Sequence, residues 1–190
     1  AIVQEVADAL HGNDGETTIE AILASRCVSH DTVVREFGGT DALVVAVVRR
    51  IAESLLEPLS DDPTEASFKR QLVEFSRLAM DEYAGSRLKN LYRLAIADAS
   101  RDAGMKGEVY RNGPGLLQRE LARFFRSARM AGVSLHADSH RLANYFVALL
   151  RTHWDLSDMS GSQNRRSAQG HIGWLVESCF WGLQAEADRA

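Results

Sequence analysis

Apolar residues recur at three- and four-residue intervals along most of this chain, and little interrupts them. Three prolines and fourteen glycines are spread over 190 residues, so stretches such as 116–130 and 169–187 contain no breaker beyond single glycines. Apolar side chains at i, i+3 and i+4 describe a helix with one buried face, and low breaker content lets such helices run on. No segment alternates with period two for long enough to argue a sheet. The pattern predicts an all-α protein of about nine helices.

Short helices come first. Ile2, Val3, Val6 and Leu10 share one face of a helix that ends at the Gly12–Gly15 cluster. Thr17 or Thr18 is placed to cap a second helix carrying Ile19, Ile22 and Leu23, because a threonine hydroxyl accepts from a backbone N–H with no partner in the first turn. Ser29 is placed to cap a third, with Val33 and Phe37 four apart, and Gly38 and Gly39 end it. A longer helix runs from Thr40 to Pro58 through Leu43, Val44, Val47, Val48, Ile51 and Leu55.

After the linker Ser60–Pro63, helical patterns cover about 64–83, 86–103, 114–131, a segment capped by Asp138 or Ser139, and 169–187. The polar stretch 157–167 reads as a mobile loop. The break at Asn112–Gly115 is either a hinge or a simple boundary between helices.

Composition narrows the function classes. With 45% hydrophobic residues and 22 Lys and Arg against 26 Asp and Glu, the chain has the make-up of a soluble globular protein with a formal charge of −4. Its longest apolar run, Ala42–Val48, is far short of the ~20 residues that cross a bilayer, and no charged-then-apolar leader opens the chain. Cys27 and Cys179 belong to no paired-cysteine motif, which agrees with a reducing, cytoplasmic setting. No membrane partner is expected. The chain opens at Ala1 without methionine, so a basic arm ahead of it is left open.

A helix of 8 to 10 residues, a tight turn and a second short helix describe a helix-turn-helix, whose second helix can enter a major groove. Here Thr17, Thr18, Ile19, Ile22, then Val28, Ser29, Thr32, Val33, Phe37, Asp41 and Leu43 fall in a recognisable order and spacing. This run resembles the N-terminal domain of TetR-like transcriptional regulators, approximately T-T-x-x-x-I-A, then G-V-S-x-G-T-(L/V)-Y-x-H-F, then x-S-K-(E/D)-x-L. The resemblance covers about residues 2–55. It implies a three-helix DNA-binding module over residues 1–58, connecting helix included, and a larger ligand-binding and dimerisation domain over 59–190.

The resemblance implies DNA contacts at Thr18, Arg26, Ser29, His30, Thr32, Val34, Arg35 and Thr40. Core positions of the pattern are kept by Ile19, Ile22, Val28, Val33, Phe37 and Leu43. The DNA-facing positions diverge. The family's phosphate-contacting Tyr is Val34 here, its His is Glu36, its Lys is Thr40, and its two glycines are Cys27 and Asp31. Residues 1–58 carry four basic side chains against ten acidic ones, a balance of −6. Phosphate neutralisation supplies most of the affinity for duplex DNA, so an acidic head opposes binding.

In the same family the C-terminal helices enclose a small-molecule cavity, and the last two pair with their symmetry mates. By resemblance, Phe68, Phe75, Met80, Tyr83, Tyr92, Tyr110, Asn144, His153 and Trp154 are candidates for the lining of a site for a small apolar or aromatic ligand, though most are also ordinary core residues. The final helix adds an argument of its own. Ile172, Leu175, Val176, Cys179, Phe180 and Leu183 make one stripe, with His171, Trp174, Ser178 and Trp181 beside it. A surface helix needs one buried face, so two stripes imply a partner, and Trp is enriched where partners meet. Tyr145, Leu149, Ile172, Trp174, Leu175, Ser178 and Trp181 are the expected homodimer face.

His136 and His140 flank Asp138 at a spacing that invites a metal, but the ligand set is thin and a helix cap explains it. Cys27 and His30 alone make neither a zinc site nor an activated thiol. No phosphate loop, nucleophile elbow or paired acidic motif occurs. The sequence therefore predicts a homodimeric transcriptional regulator binding a palindromic operator, with neither enzymatic activity nor cofactor. A second possibility is a related dimer whose acidic head has lost DNA and acts through a ligand or protein partners.

Overall fold

A computed structural model describes residues 1–11, 18–59, 63–80, 87–98, 103–160 and 165–181. Helices account for nearly all of them, and no strand occurs among the described residues. They are α1 (Ile2–His11), α2 (Ile19–Ser25), α3 (His30–Phe37), α4 (Thr40–Leu56), α5 (Glu65–Ala79), α6 (Arg87–Asp98), α7 (Ala103–Asn112), α8 (Pro114–Met130), α9 (Ser139–Ser160) and α10 (Arg165–Trp181). The helix not anticipated from sequence is α7. Two glycines, Gly104 and Gly107, lower its intrinsic propensity and thin its apolar stripe, so periodicity alone does not reveal it. The stretch expected as a loop over 157–167 is corrected too. Residues 157–160 end α9 and residues 165–167 begin α10, while 161–164 lie outside the described residues.

Packing divides the chain into two units, Ala1–Leu55 with Asp81–Leu117, and Leu56–Met80 with Gln118–Ala190. In the first, α1 buries Val6, Ala7 and Leu10, α2 buries Ile19, Ile22 and Leu23, and α3 buries Val33. Oxygen caps start the short helices as their sequences suggest. The Thr18 hydroxyl accepts from the Ala21 N–H at 3.2 Å, and that of Ser29 from the Thr32 N–H at 3.2 Å. Each such cap is worth about 1 kcal/mol.

The α2–α3 turn is a Schellman motif. The Cys27 N–H bonds the Ala24 carbonyl at 3.2 Å and the Val28 N–H bonds that of Leu23 at 3.0 Å. Cys27 sits at the left-handed position, φ 54°, where glycine is the usual occupant. Gly38, at φ 84°, caps the C-terminus of α3 and turns the chain into α4.

Helix α6 packs against both α1 and α7. The buried Asn90 amide donates to the Leu10 carbonyl at 2.8 Å and so satisfies an acceptor near the end of α1. Gly113 joins α7 to α8 where no side chain fits. A Cβ there would come within 3.1 Å of Leu91 Cδ1 and the Val109 carbonyl, and nearer still to Val48 Cγ1. The break at Asn112–Gly115 is thus a close-packed junction.

In the second unit Thr64 and Ser67 form a reciprocal capping box at the start of α5. Behind it, Phe68 stacks on Phe124 at 5.2 Å and meets Phe180 edge-on at 5.5 Å, and Phe75 and Phe125 each contact Phe146. Offset and edge-to-face ring pairs add about 0.5–1.5 kcal/mol beyond their burial. Helix α10 packs against α5 and α9. Asp138 caps α9, its Oδ1 accepting from the N–H groups of His140 and Arg141 at 3.1 Å.

Candidate functional site

Helix α3 carries the candidate site, and one of its faces is used by the core while the other is not. Val33 is buried and Phe37, one turn on, is half-buried. At 100° per residue the opposite crest holds Asp31 and Arg35, with His30 and Val34 on one flank. His30, Asp31, Val34, Arg35 and Glu36 are all exposed, Val34 at 45% despite being apolar. An exposed valine mid-helix gains nothing from burial, and the turn that presents this helix is rigidly capped at both ends.

The remaining positions expected to face DNA separate by what they already do. Ser29 and Thr32 share a hydrogen bond between their hydroxyls at 2.9 Å, and Ser29 also holds the cap. Thr18 is exposed but spends its oxygen on the α2 cap. Thr40 is half-buried as the first residue of α4. Of the arginines, Arg49 pairs with Glu53 at 2.8 Å and Arg50 donates to Gln4 at 2.6 Å. Arg26 and Arg35 are exposed and form no ion pair with a described residue.

The candidates for a ligand site are divided between the two packing units. Phe68 and Phe75 are fully buried and occupied by other phenylalanine rings, and Met80 is buried close by in sequence. Tyr92 is half-buried and Tyr110 is 50% exposed, both in the first packing unit, while Asn144 is exposed on α9. Tyr83 and the side chains of His153 and Trp154 lie outside the described residues. One polar group that sequence reasoning did not single out is Arg93 on α6. It is half-buried, and its Nη1 is buried with no hydrogen-bond partner among the described residues. No periodicity or spacing marks such an atom in advance.

On the expected dimer face, Tyr145 and Trp174 are exposed at 53% and 48%, and Leu149 and Ser178 are half-buried. Ile172 and Leu175 are buried within the second unit, and the Trp181 side chain lies outside the described residues. His171 stacks on Trp174 at 5.8 Å, and Gly170 and Gly173 beside them are exposed with open space where a Cβ would stand. Trp174 is thus an aromatic side chain half in water beside two bare backbone positions. Lys69 also bridges to α10, bonding Glu177 at 2.8 Å and lying 4.6 Å over the Phe180 ring.

Cys27 and Cys179 differ sharply. Cys27 is exposed, whereas burial pushes the Cys179 thiol up to about 12. No group of three or more metal-ligating side chains occurs among the described residues, and no described helix is long and apolar enough to cross a membrane.

Comparison with known proteins adds the decisive observation. Residues 70–178, more than half of the chain, match the C-terminal domain of AefR-like transcriptional repressors. The chain belongs to the TetR-like family of transcriptional regulators. Solved structures share the fold over most of the chain. A Mesorhizobium loti MAFF303099 protein assigned to the TetR family superposes with a TM-score of 0.63 at 23% identity, over 93% of this chain and 92% of its own. The flavonoid-responsive regulator FrrA superposes with a TM-score of 0.60 at 24% identity, over 94% of this chain and 95% of its own. No curated protein matches the sequence significantly.

Proposed function

We propose that this TetR-like protein is a cytoplasmic homodimer that binds a palindromic operator through α3 and answers to a small apolar or aromatic molecule held by its C-terminal domain. The observation that carries the reading is α3 itself, capped by Ser29 and Gly38, anchored through Val33, and presenting its other face to solvent. A helix held in this way from a helix-turn-helix is suited to a major groove. In a homodimer the two α3 helices reach successive grooves when they stand about 34–36 Å apart, so a ligand that changes their separation releases the DNA. Tyr145 and Trp174 are the proposed centre of the dimer contact.

A second reading is favoured by Val34, Glu36, Thr40 and the −6 balance of residues 1–58. In it the dimer remains and the head has lost DNA. Selecting bound fragments from genomic DNA with the full chain at low and moderate salt separates the two. Enrichment of a palindrome supports the operator reading. If an intact dimer enriches nothing, while the triple substitution Val34→Tyr, Glu36→His and Thr40→Lys gains duplex affinity, the second reading stands in its place.

A further inference from the structure

The crest of α3 is occupied by an acid and a base one turn apart, and neither is committed to anything else. Asp31 and Arg35 are exposed and lie opposite the buried Val33, and their side chains bond to no other described residue. Spacing of i and i+4 would allow an ion pair between them, yet no such bridge forms. The hydroxyls nearby are already used by the Ser29 cap and its bond to Thr32. What projects furthest from the packed side of α3 is therefore one acceptor-only group and one donor-only group.

We infer that Asp31 and Arg35 are the base-reading pair of this head, Arg35 selecting guanine and Asp31 selecting cytosine, at two neighbouring base pairs of each operator half-site. The inference rests on the operator-binding reading given above. An arginine fork donates to both O6 and N7 of guanine, and a carboxylate accepts from the N4 amino group of cytosine. Asp31 is the more discriminating of the two, because repulsion acts beside attraction. Guanine O6 and N7 and thymine O4 are acceptors in the major groove, so a carboxylate rejects guanine and thymine, while adenine, with its N6 amino donor beside the N7 acceptor, is disfavoured less. Four residues of helix advance about 6 Å, and successive bases are about 3.4 Å apart. The two contacts accordingly fall one or two base steps from each other. A carboxylate on the crest also weakens binding to every wrong sequence, so the acidity of this head raises selectivity as it lowers affinity.

The test is selection of bound duplexes from a randomised library at low salt, using the full chain and its Asp31→Asn, Asp31→Ala and Arg35→Ala variants. Both positions are exposed, and circular dichroism checks that each variant keeps its helices. The parent chain is expected to enrich half-sites with a fixed G and a fixed C one or two steps apart, each preferred about ten-fold or more. Asp31→Asn moves the cytosine position to adenine, whose N6 and N7 suit a carboxamide. Asp31→Ala loses that preference while binding unrelated duplexes more tightly, and Arg35→Ala loses the guanine alone. If the parent chain selects a sequence but all three variants select the same one, the pair is not the reader, and operator binding survives without it. If the folded parent chain selects nothing, both the inference and the operator reading are overturned.

Discussion

Cys27 shows how a single residue records divergence from a family pattern. Its φ of 54° places a side chain where the pattern has glycine, and an L-residue in that region costs about 1–2 kcal/mol. Glycine regains most of this but loses more entropy on folding. Cys27→Gly is therefore expected to stabilise the protein by about 0.5–1 kcal/mol, whereas the β-branched Cys27→Val destabilises it. Urea denaturation of the three proteins measures both. The two thiols give a second check. A thiol reagent near neutral pH should modify Cys27 in the folded protein and reach Cys179 only after denaturant is added. The stability that Cys179 contributes as a neutral thiol is complete below its ordinary value of 9.0, and is lost as pH rises from there through about 12, because only the unfolded chain ionises early. Neither the strain at Cys27 nor the inertness of Cys179 is legible in sequence, since both depend on where the backbone places the residue.

At the scale of elements, most of the fold was legible because its signals are local. Thr18, Ser29 and Asp138 cap the helices that their positions suggested, and the stripes on α1 to α5 and on α8 are the buried faces. The exceptions have physical causes. Helix α7 was hidden by two glycines, and the polar ends of α9 and α10 read as loop because Ser, Asn and Gly favour turns when nothing is known of their packing. Long-range polar contacts were invisible for a related reason. Asn90 reaches the Leu10 carbonyl across 80 residues of sequence, and no pattern within α6 announces it. Asn90→Leu leaves that carbonyl without its buried donor and is expected to cost about 1–3 kcal/mol, measurable as a lower urea midpoint. Gly113→Ala forces a methyl against Val48 and Leu91, with an expected loss of about 1–3 kcal/mol and a shift of the same midpoint.

For the whole molecule, the candidate site was legible in its position and less so in its chemistry. Val34, Glu36 and Thr40 stood out in sequence as departures from the family. That Asp31 and Arg35 form the outward crest follows from seeing Val33 buried and the Ser29 and Thr32 hydroxyls engaged with each other. The aromatic candidates for a ligand site were less legible. Phenylalanines at helical spacing look alike whether they line a cavity or fill a core, and Phe68 and Phe75 meet other rings. The dimer contact makes its own prediction. Trp174→Glu sets a charge into the proposed interface and should convert a dimer to monomers with the helix content unchanged, as read by sedimentation; a dimer that persists would move the contact elsewhere.

The most direct test of operator binding is the salt dependence of affinity for a duplex enriched by selection, measured beside a scrambled duplex of equal length. Each phosphate neutralised contributes about 0.9 to the slope of log affinity against log salt. Arg26 and Arg35 are the two arginines of residues 1–58 whose side chains pair with no other described residue. With Arg35 assigned to guanine, Arg26 is the arginine left for phosphate in each of two heads, so the slope should be no steeper than about −2, and the enriched duplex should bind far more tightly than the scrambled one at every salt concentration. Equal binding of the two duplexes at low salt, or no binding of either by an intact dimer, would contradict the account.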